Sequence, residues 1–376
     1  MPVVSIARKN LFHDKIRFLI ALAGIQFSVL LITIQVGVFL RFLTNASVLI
    51  DNATADIWIT AKNLQNFDFG RPFSEKKVYQ ARNVPGVLWA EKYLIAFGYW
   101  KTPAGSQESV QVIGFNPQTM VGAPWDVVEG DLRDAKEPFA VFYDVAEADR
   151  LGRIPVGGVT EVNNRRVRVA GITRGAKSFI QAAYVFTSYK NASNLAFFSR
   201  GDTVYSLVKV ADGYEVDAVV RRLRETLQDV DVYTKEEFSY KTRYYWMINT
   251  GAGIALLSVA IMGLVIGTII VGQTIYASTT EHLKEFGTLK AIGASNGDIY
   301  KIIIQQALIN SVIGFVLGML ATYGVVQIMK VGKLEVLLTP PILICIFLVT
   351  VLMCLVSSIL SIYKVTKIDP ALIFKS

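Results

Sequence analysis

The sequence predicts a membrane α-helical protein with four transmembrane helices in a 1+3 arrangement. A large mixed α+β domain lies between the first and second spans. Two observations predict this: four long runs without charged residues, and a segment of ordinary polar composition, 41–246, between the first two runs. A mean hydropathy of +0.42 with 52% hydrophobic residues is typical of such a chain, part in lipid and part in water.

The four uncharged runs are long enough to cross a bilayer as helices, because roughly 20 apolar residues span a hydrocarbon layer of about 30 Å. A cleaved signal peptide is the alternative for the first run. Signal peptides have apolar cores of about 7–15 residues, which favours an uncleaved anchor here. The predicted transmembrane helices are 18–40, 251–275, 302–329 and 341–362.

Basic residues beside the spans predict their orientation. Four lie in or next to the N-terminal segment 1–17, three in the loop 276–301 and three in the tail 363–376, against two in the short loop 330–340. Cytoplasmic loops carry the excess of lysine and arginine, and long loops are left out of this comparison. We therefore expect an inner-membrane protein with both termini cytoplasmic and 41–246 periplasmic.

The net charge of +8 is explained by this topology. The segment 41–246 has 26 basic and 24 acidic residues, so most of the excess lies near the predicted cytoplasmic surface. A nucleic-acid partner is not indicated.

Alternating apolar and polar residues predict strands in the 41–246 domain, and a one-sided apolar pattern predicts a helix at 214–227. Short linkers are expected at 48–55 and 237–246, the second with Tyr244, Tyr245 and Trp246 as an interfacial aromatic anchor. The predicted strands are 56–60, 93–100, 109–115, 139–143, 166–173, 183–187 and 203–210.

No motif for nucleotide, zinc or an activated serine is present, and the sequence does not predict an enzyme. The two histidines, His13 and His282, both fall in predicted cytoplasmic segments, so no histidine-based triad or metal site is expected in the outer domain. The two cysteines, Cys345 and Cys354, lie in the last span and are interpreted as packing residues.

Small residues within the spans predict close helix contacts. Gly263-x-x-x-Gly267 and Gly314-x-x-x-Gly318 have the spacing that lets two helix backbones approach. The spans contain no acidic or basic residue, which argues against an ion-driven transporter. Their amides are expected to hydrogen-bond neighbouring helices; these are Gln26, Gln35, Gln305, Gln306 and Asn310.

The segment 281–295, EHLKEFGTLKAIGAS, is the strongest functional candidate. Apolar residues recur every third position from 283 to 292, and charged residues occupy another face, which predicts an amphipathic helix over 281–292. Gly293 is expected to end this helix in a left-handed conformation, and Ser295 with Asp298 to cap the next. A helix resting on lipid is the alternative, which the mixed charge disfavours.

This segment resembles the E-[IF]-G-x-x-[KR]-A-[IL]-G-A motif of the FtsX and MacB group of ABC transporter permeases. The 1+3 architecture and the tail Lys367-Ile-Asp-Pro-Ala-Leu372 resemble that group as well. Within it, the length and the N-terminal Ser5-Ile-Ala-Arg-Lys-Asn-Leu11 are similar to DevC-type exporter permeases.

The resemblance implies a permease that works by mechanotransmission. A separate ABC ATPase, which binds the ATP and magnesium, would dock on the 281–292 helix, and this chain itself would hold no cofactor. Two copies would pair through the first and second spans. The implied ATPase-coupling residues are Glu281, His282, Leu283, Lys284, Glu285, Phe286, Gly287, Leu289, Lys290, Ile292 and Gly293.

Similarity to DevC-type members further implies a periplasmic adaptor, of the membrane fusion protein type, and an outer-membrane channel. The cargo would then be lipid-like, such as a glycolipid. An FtsX-like regulator, which activates a periplasmic cell-wall hydrolase without transport, is the alternative.

Overall fold

The computed structural model describes residues 15–366 apart from 179, 181, 282–284, 286, 289, 291 and 332–335. Four helices are long and apolar enough to cross a membrane: Phe18–Ala46, Ala252–Glu281, Asn296–Met329 and Pro340–Ile359. A mixed α and β domain lies between the first and second of them. The predicted fold class is confirmed.

The outer domain, Phe42–Gly251, is one compact unit. In chain order it contains α2 (Val48–Asn52), β1 (Ile57–Ala61), β2 (Phe73–Ser74), α3 (Lys76–Arg82), β3 (Val87–Lys101), β4 (Gln107–Phe115), β5 (Val127–Gly130), β6 (Ala140–Asp144), α4 (Ala148–Leu151), β7 (Val159–Val162), β8 (Arg165–Thr173), β9 (Ala183–Ser188), α5 (Tyr189–Leu195), β10 (Asp202–Thr203), β11 (Tyr205–Val210), α6 (Val216–Thr226), β12 (Val230–Thr234) and α7 (Lys235–Tyr244).

One large sheet organises this domain. Its strands follow the order β12-β1-β11-β3-β4-β9-β6-β8-β5, with β7 paired to both β3 and β8, while β2 and β10 form a separate pair. Most neighbours are antiparallel, whereas β4 with β9 and β6 with β8 run parallel. The mixed sheet agrees with the predicted α+β class.

Strand β1 is buried on both faces, because successive side chains of a strand point to opposite sides. Ile57 and Ile59 join an apolar cluster that includes residues of α3 and α6. Trp58 points to the other side, where its ring lies 5.6–5.8 Å from those of Phe67, Tyr93, Tyr205 and Phe238. Aromatic rings bury large apolar areas and pack edge to face, so Trp58 anchors the larger core.

All seven predicted strands are present, as β1, β3, β4, β6, β8, β9 and most of β10 with β11. The predicted helix 214–227 corresponds to α6. Strands β2, β5, β7 and β12 were not predicted from the sequence. Of these, β7 forms a hairpin with β8 that turns at Asn163 and Asn164. Both have positive φ, 49° and 61°. Two consecutive residues with positive φ form a tight hairpin turn, and asparagine favours this conformation. The Asn-Asn pair therefore indicates the hairpin in the sequence.

The expected linker 237–246 is wrong as a description of this segment. Helix α7 occupies Lys235–Tyr244 and begins with a complete capping box, in which Thr234 Oγ1 accepts from Glu237 N and Glu237 accepts from Thr234 N. A five-residue π-helical turn, Tyr245–Asn249, follows. The many charged and aromatic residues of this segment do not suggest a helix. The Thr-x-x-Glu spacing, however, indicates the start of one.

The helical unit comprises α1 (Lys15–Ala46), α8 (Ala252–Glu281), α9 (Asn296–Val331) and α10 (Pro340–Thr366). One buried apolar cluster joins all four: Ile25 and Val29 from α1, Val271 and Ile275 from α8, Ile299, Ile302, Ile303 and Ala307 from α9, and Met353 and Cys354 from α10. Ser357 Oγ of α10 also donates to Thr268 O of α8 at 2.9 Å.

The four glycines of the two small-residue patterns lie against α1. A Cβ added at Gly263 would be 3.2 Å from Leu31 Cβ, and one at Gly267 would overlap Ser28 Oγ. On α9, a Cβ at Gly314 would be 2.5 Å from Ile25 Cγ2, and one at Gly318 would be 2.7 Å from Val29 Cβ. Both patterns therefore face the first span in this unit.

The interior amides do not all behave as expected. Gln305 Oε1 and Asn310 Oδ1 are buried and have no hydrogen-bond partner among the described residues. The expectation that these amides bond neighbouring helices is wrong for these two oxygens. Polar groups buried without a partner cost free energy, so they weaken rather than strengthen the packing around α9.

We expect Gly267→Ala to destabilise the helical unit, because the new Cβ would also lie 2.7 Å from Ser28 Cβ and 2.9 Å from Met353 Sδ. Overpacking of this kind costs about 1–3 kcal/mol. The measurement is the apparent melting temperature of the purified protein in detergent. Gly324→Ala is the control, since nothing lies within 4 Å of a Cβ there. Equal melting temperatures for the two variants would contradict close packing at Gly267.

Candidate coupling site and outer-domain junction

The segment 281–295 connects α8 to α9, and its described part ends as the sequence predicts. Glu285, Gly287, Thr288 and Lys290 are helical. Ile292 N donates to Thr288 O at 3.1 Å and Gly293 N to Lys290 O at 3.0 Å, while Gly293 has φ +103°. Glycine adopts this left-handed conformation without steric cost, which lets the chain leave the helix here.

A capping box then begins α9. Asp298 N donates to Ser295 Oγ at 3.2 Å, and Asp298 Oδ2 accepts from Ser295 N at 3.2 Å. Aspartate thus replaces the usual glutamate or glutamine of this motif, as the sequence predicted. The turn between the two helices is therefore short and fixed by its own hydrogen bonds.

The described side chains of this segment are mostly exposed. Glu281, Glu285 and Thr288 are exposed, Lys290 is half-buried, and Ile292 is 80% exposed. Gly287 is buried. An apolar side chain as open as Ile292, beside exposed carboxylates, is available for contact with another molecule. Five of the implied coupling residues lie outside the described residues: His282, Leu283, Lys284, Phe286 and Leu289.

Residues near this segment on α8 and α9 belong to one buried apolar cluster, which α10 also joins. Ile275 of α8 belongs to the same buried cluster as Ile299, Ile302 and Ile303 of α9. At 1.5 Å per residue the 30 residues of α8 extend about 45 Å, which exceeds the hydrocarbon thickness of about 30 Å. The 281–295 segment therefore connects two helices whose adjoining ends contribute to the same buried cluster.

The outer domain has a second feature of functional interest, which we call the junction: α2, α7 and the π-helical turn. Through α2 the chain enters the domain after α1, and through the π-helical turn it leaves towards α8. Arg243 of α7 donates from Nη2 to Asp51 Oδ2 at 2.5 Å and from Nε to Ser47 Oγ at 2.7 Å. Lys235 Nζ also donates to Ala53 O at 2.9 Å. The entering and leaving connections are thus bonded to each other.

Trp246, in the π-helical turn, is bonded to the domain core. Its Nε1 donates to Asp68 Oδ2 at 2.9 Å. Asp68 is 2% exposed, and its other oxygen, Oδ1, has no hydrogen-bond partner among the described residues. The sequence reasoning interpreted Trp246 as an interfacial anchor and did not single out Asp68, because the burial of a residue in a polar loop is not visible in the sequence.

Burial raises the pKa of the Asp68 carboxyl from 3.8 to about 7, against the opposing effect of the Trp246 hydrogen bond. The neighbouring Tyr184 and Tyr205 are also buried, and burial raises their pKa values well above the usual range, so both stay neutral. Asp68 therefore changes its charge near neutral pH, and no cation in the described part of the chain compensates it.

Two family models match the chain. One, described as the MacB-like periplasmic core domain, matches residues 18–226, and another, described as the FtsX-like permease C-terminal, matches residues 257–370. The first match alone covers more than half of the chain. The chain belongs to the MacB and FtsX family of ABC transporter permeases. The family expected from the 281–295 motif is confirmed.

Curated relatives agree with this family. An uncharacterized ABC transporter permease of Methanocaldococcus jannaschii is 24% identical over 282 residues, 67% of each chain. One from Mycobacterium bovis is 22% identical over 382 residues, 98% of each chain. The macrolide export ATP-binding/permease protein MacB of Agrobacterium fabrum is 25% identical over 262 residues, which is 65% of this chain and 40% of that relative.

Solved structures similar to the chain include a periplasmic region and an extracellular domain of two other proteins. The periplasmic region of MacB from Actinobacillus actinomycetemcomitans has a TM-score of 0.39 at 14% identity, covering 50% of this chain and 94% of that one. The extracellular domain of YknZ from Gram-positive bacteria has a TM-score of 0.36 at 14% identity, covering 47% and 98%. The assignment rests on the family models.

We expect the MacB/FtsX-type permease to lose stability as pH rises from about 4 to about 7, because over this range the unfolded chain has released the Asp68 proton and the folded chain retains it. The folded-state pKa lies above the ordinary 3.8, so the contribution of Asp68 is full below pH 3.8 and is lost as pH passes the raised value. The free energy of unfolding should fall by at most about 4 kcal/mol, because each unit of pKa shift corresponds to roughly 1.4 kcal/mol. The measurement is the apparent melting temperature of the full chain between pH 5 and 8.

Asp68→Asn keeps an oxygen acceptor for Trp246 but cannot ionise, so its melting temperature should fall less than that of the wild type over this range. Asp212→Asn removes an exposed carboxylate in a turn and serves as the control. Parallel pH profiles for the wild type and Asp68→Asn would contradict the shifted titration.

Proposed function

We propose that this permease converts the work of a separate ABC ATPase into movement of its outer domain, the mechanism called mechanotransmission. The observation that carries the proposal is the 281–295 segment. Its exposed residues Ile292, Glu281 and Glu285 lie at the connection of two helices that share one buried cluster. A docking helix needs an apolar face to enter a groove and charged residues at the rim. The segment offers both.

Docking would act on α8 and α9 together, because their bases share one buried cluster. On its N-terminal side α8 follows Gly251, the π-helical turn and α7 of the bonded junction. A helix is stiff along its axis, whereas a flexible linker would absorb a displacement. The finding that 235–244 is a helix supports force transmission into the outer domain.

ATP and magnesium are proposed to bind in the ATPase, and this chain is assigned no catalytic role. The name of the Agrobacterium relative, an ATP-binding/permease protein, supports the pairing of such a permease with an ATPase. We further propose that two copies pair through their first and second spans. Exposed apolar residues on α1 and α8, such as Phe27, Ile261 and Met262, support a partner or lipid on those helices.

The cargo is proposed to be lipid-like, such as a glycolipid. It would pass through a periplasmic adaptor and an outer-membrane channel rather than between the spans. The support for this part is the resemblance to DevC-type permeases, together with the absence of ionisable residues from the predicted spans.

We expect Phe286→Asp to abolish co-purification of the permease with its ATPase and the stimulation of ATP hydrolysis, because it puts a charge into the predicted apolar face. Thr288→Asp introduces the same charge two residues away on the exposed face and should retain both properties. Membrane insertion of each variant is checked by fractionation. Normal stimulation in Phe286→Asp, or an equal loss in Thr288→Asp, would rule out docking through this face.

The proposed topology is tested by cysteine labelling in a chain whose Cys345 and Cys354 are replaced by alanine. Ser199 is exposed on the outer domain. Ser199→Cys should therefore react with a membrane-impermeant maleimide in cells whose outer membrane is permeable and whose inner membrane is intact. Thr288→Cys, on the 281–295 segment, should react only after lysis. The reverse pattern would place the 281–295 segment outside the cytoplasm.

A further inference from the structure

A cavity of about 310 Å³ in the outer domain is lined by three lysines from three different elements. Lys92 lies on β3, Lys136 ends the 3-10 turn Leu132–Lys136, and Lys190 lies in α5. Asn116 and Gln118, which follow β4, also line it. None of these residues belongs to the coupling site or the junction.

The carboxylates near this cavity already have partners. Glu91 Oε2 accepts from Asn116 Nδ2 at 2.8 Å and lies 3.4 Å from Arg82 Nη2. Glu75 Oε1 pairs with Lys92 Nζ at 3.1 Å. By contrast, Lys136 and Lys190 form no ion pair with any residue in the described part of the chain. The lining therefore carries uncompensated positive charge.

The two uncompensated lysines are held on the same cavity by their backbones. Asn191, next to Lys190, is 6% exposed, and its Nδ2 donates to the carbonyl of Glu137, next to Lys136, at 2.9 Å. This partly buried hydrogen bond connects α5 to the end of the 3-10 turn. Like charges kept on one cavity repel each other, and an anion between them would relieve that repulsion.

One wall of the cavity is also fixed. Lys92 Nζ lies 4.7 Å from the ring centroid of Tyr189, and Tyr189 OH donates to Asp202 O at 2.8 Å. The cation on the ring face and the hydrogen bond of the hydroxyl hold both side chains in place. The exposed amide of Gln118 adds a neutral donor at the rim.

We propose that this cavity, formed by Lys136, Lys190 and Lys92, binds a compact phosphate-bearing ligand. Lysine acts as a point charge for phosphate oxygens, and the cavity lies at the small end of the range of about 300–1,000 Å³ for ligand sites. The phosphate belongs either to a small soluble molecule or to a lipid headgroup. The proposal is independent of ATPase docking, so either can fail without the other.

The test measures binding to the full-length permease in detergent. In the first experiment, sn-glycerol 3-phosphate is titrated into the permease in a calorimeter, and glycerol is the neutral control probe. In the second, permease in nanodiscs is mixed with vesicles of phosphatidylcholine, with or without phosphatidylglycerol. Binding to the vesicles is measured by co-flotation. Lys136→Gln/Lys190→Gln should weaken the binding of the phosphate probe about tenfold or more. Lys62→Gln/Arg221→Gln removes two positive charges that do not line the cavity and should leave binding unchanged.

Saturable binding of glycerol phosphate indicates a soluble ligand, and binding only to vesicles with phosphatidylglycerol indicates a headgroup. Either result supports the proposal if the cavity variant loses it and the control variant keeps it. The proposal is overturned if neither probe binds, if the cavity variant binds as the wild type does, or if both variants lose binding equally. The last outcome would mean a diffuse electrostatic attraction.

Discussion

Hydrocarbon offers no hydrogen-bond partner to a polypeptide backbone, so each segment that crosses it must satisfy its own amides and carbonyls. Among the described residues, the irregular backbone near α8 lies beyond the two ends of this helix. Gly293, with φ +103°, follows α8, and Gly251, with φ +72°, precedes it. The π-helical turn Tyr245–Asn249 lies before the span as well. From Ala252 to Glu281 α8 is one continuous helix, as the proposed mechanism requires of an element that transmits displacement.

The interactions that hold the junction differ in strength. Arg243 and Asp51 are 40% and 33% exposed, and partly exposed ion pairs contribute about 0–1 kcal/mol. Trp246, in contrast, donates to a carboxylate that is almost fully buried, where the loss of a partner leaves a desolvated group at a cost of about 1–3 kcal/mol. The ion pair therefore orients α7 against α2, while the Asp68 contact supplies most of the resistance to separation of the π-helical turn from the core.

The sequence predicted the elements whose pattern is local. Spans follow from uncharged length, and β1 or β8 from alternation, because these signals depend on neighbouring residues alone. The end of the 281–295 helix at Gly293 and the cap at Ser295 were predicted on the same basis. Helix α7 was missed although Thr234 and Glu237 have the spacing of a capping box. Asp68 was missed for a different reason: its burial and its bond to Trp246 join residues far apart in the chain, which no local pattern records.

Because α7 is a helix, the proposed movement of α8 would act on the outer domain differently from movement through a flexible linker. If 237–246 were a loose linker, movement of α8 would be absorbed by rotation about many backbone bonds before it reached the sheet. Helix α7 instead begins at a capped end beside β12 and carries Phe238 into the aromatic cluster around Trp58. Because that cluster is the centre of the larger core, displacement of α7 strains the packing of β1, β3 and β11 rather than a surface loop.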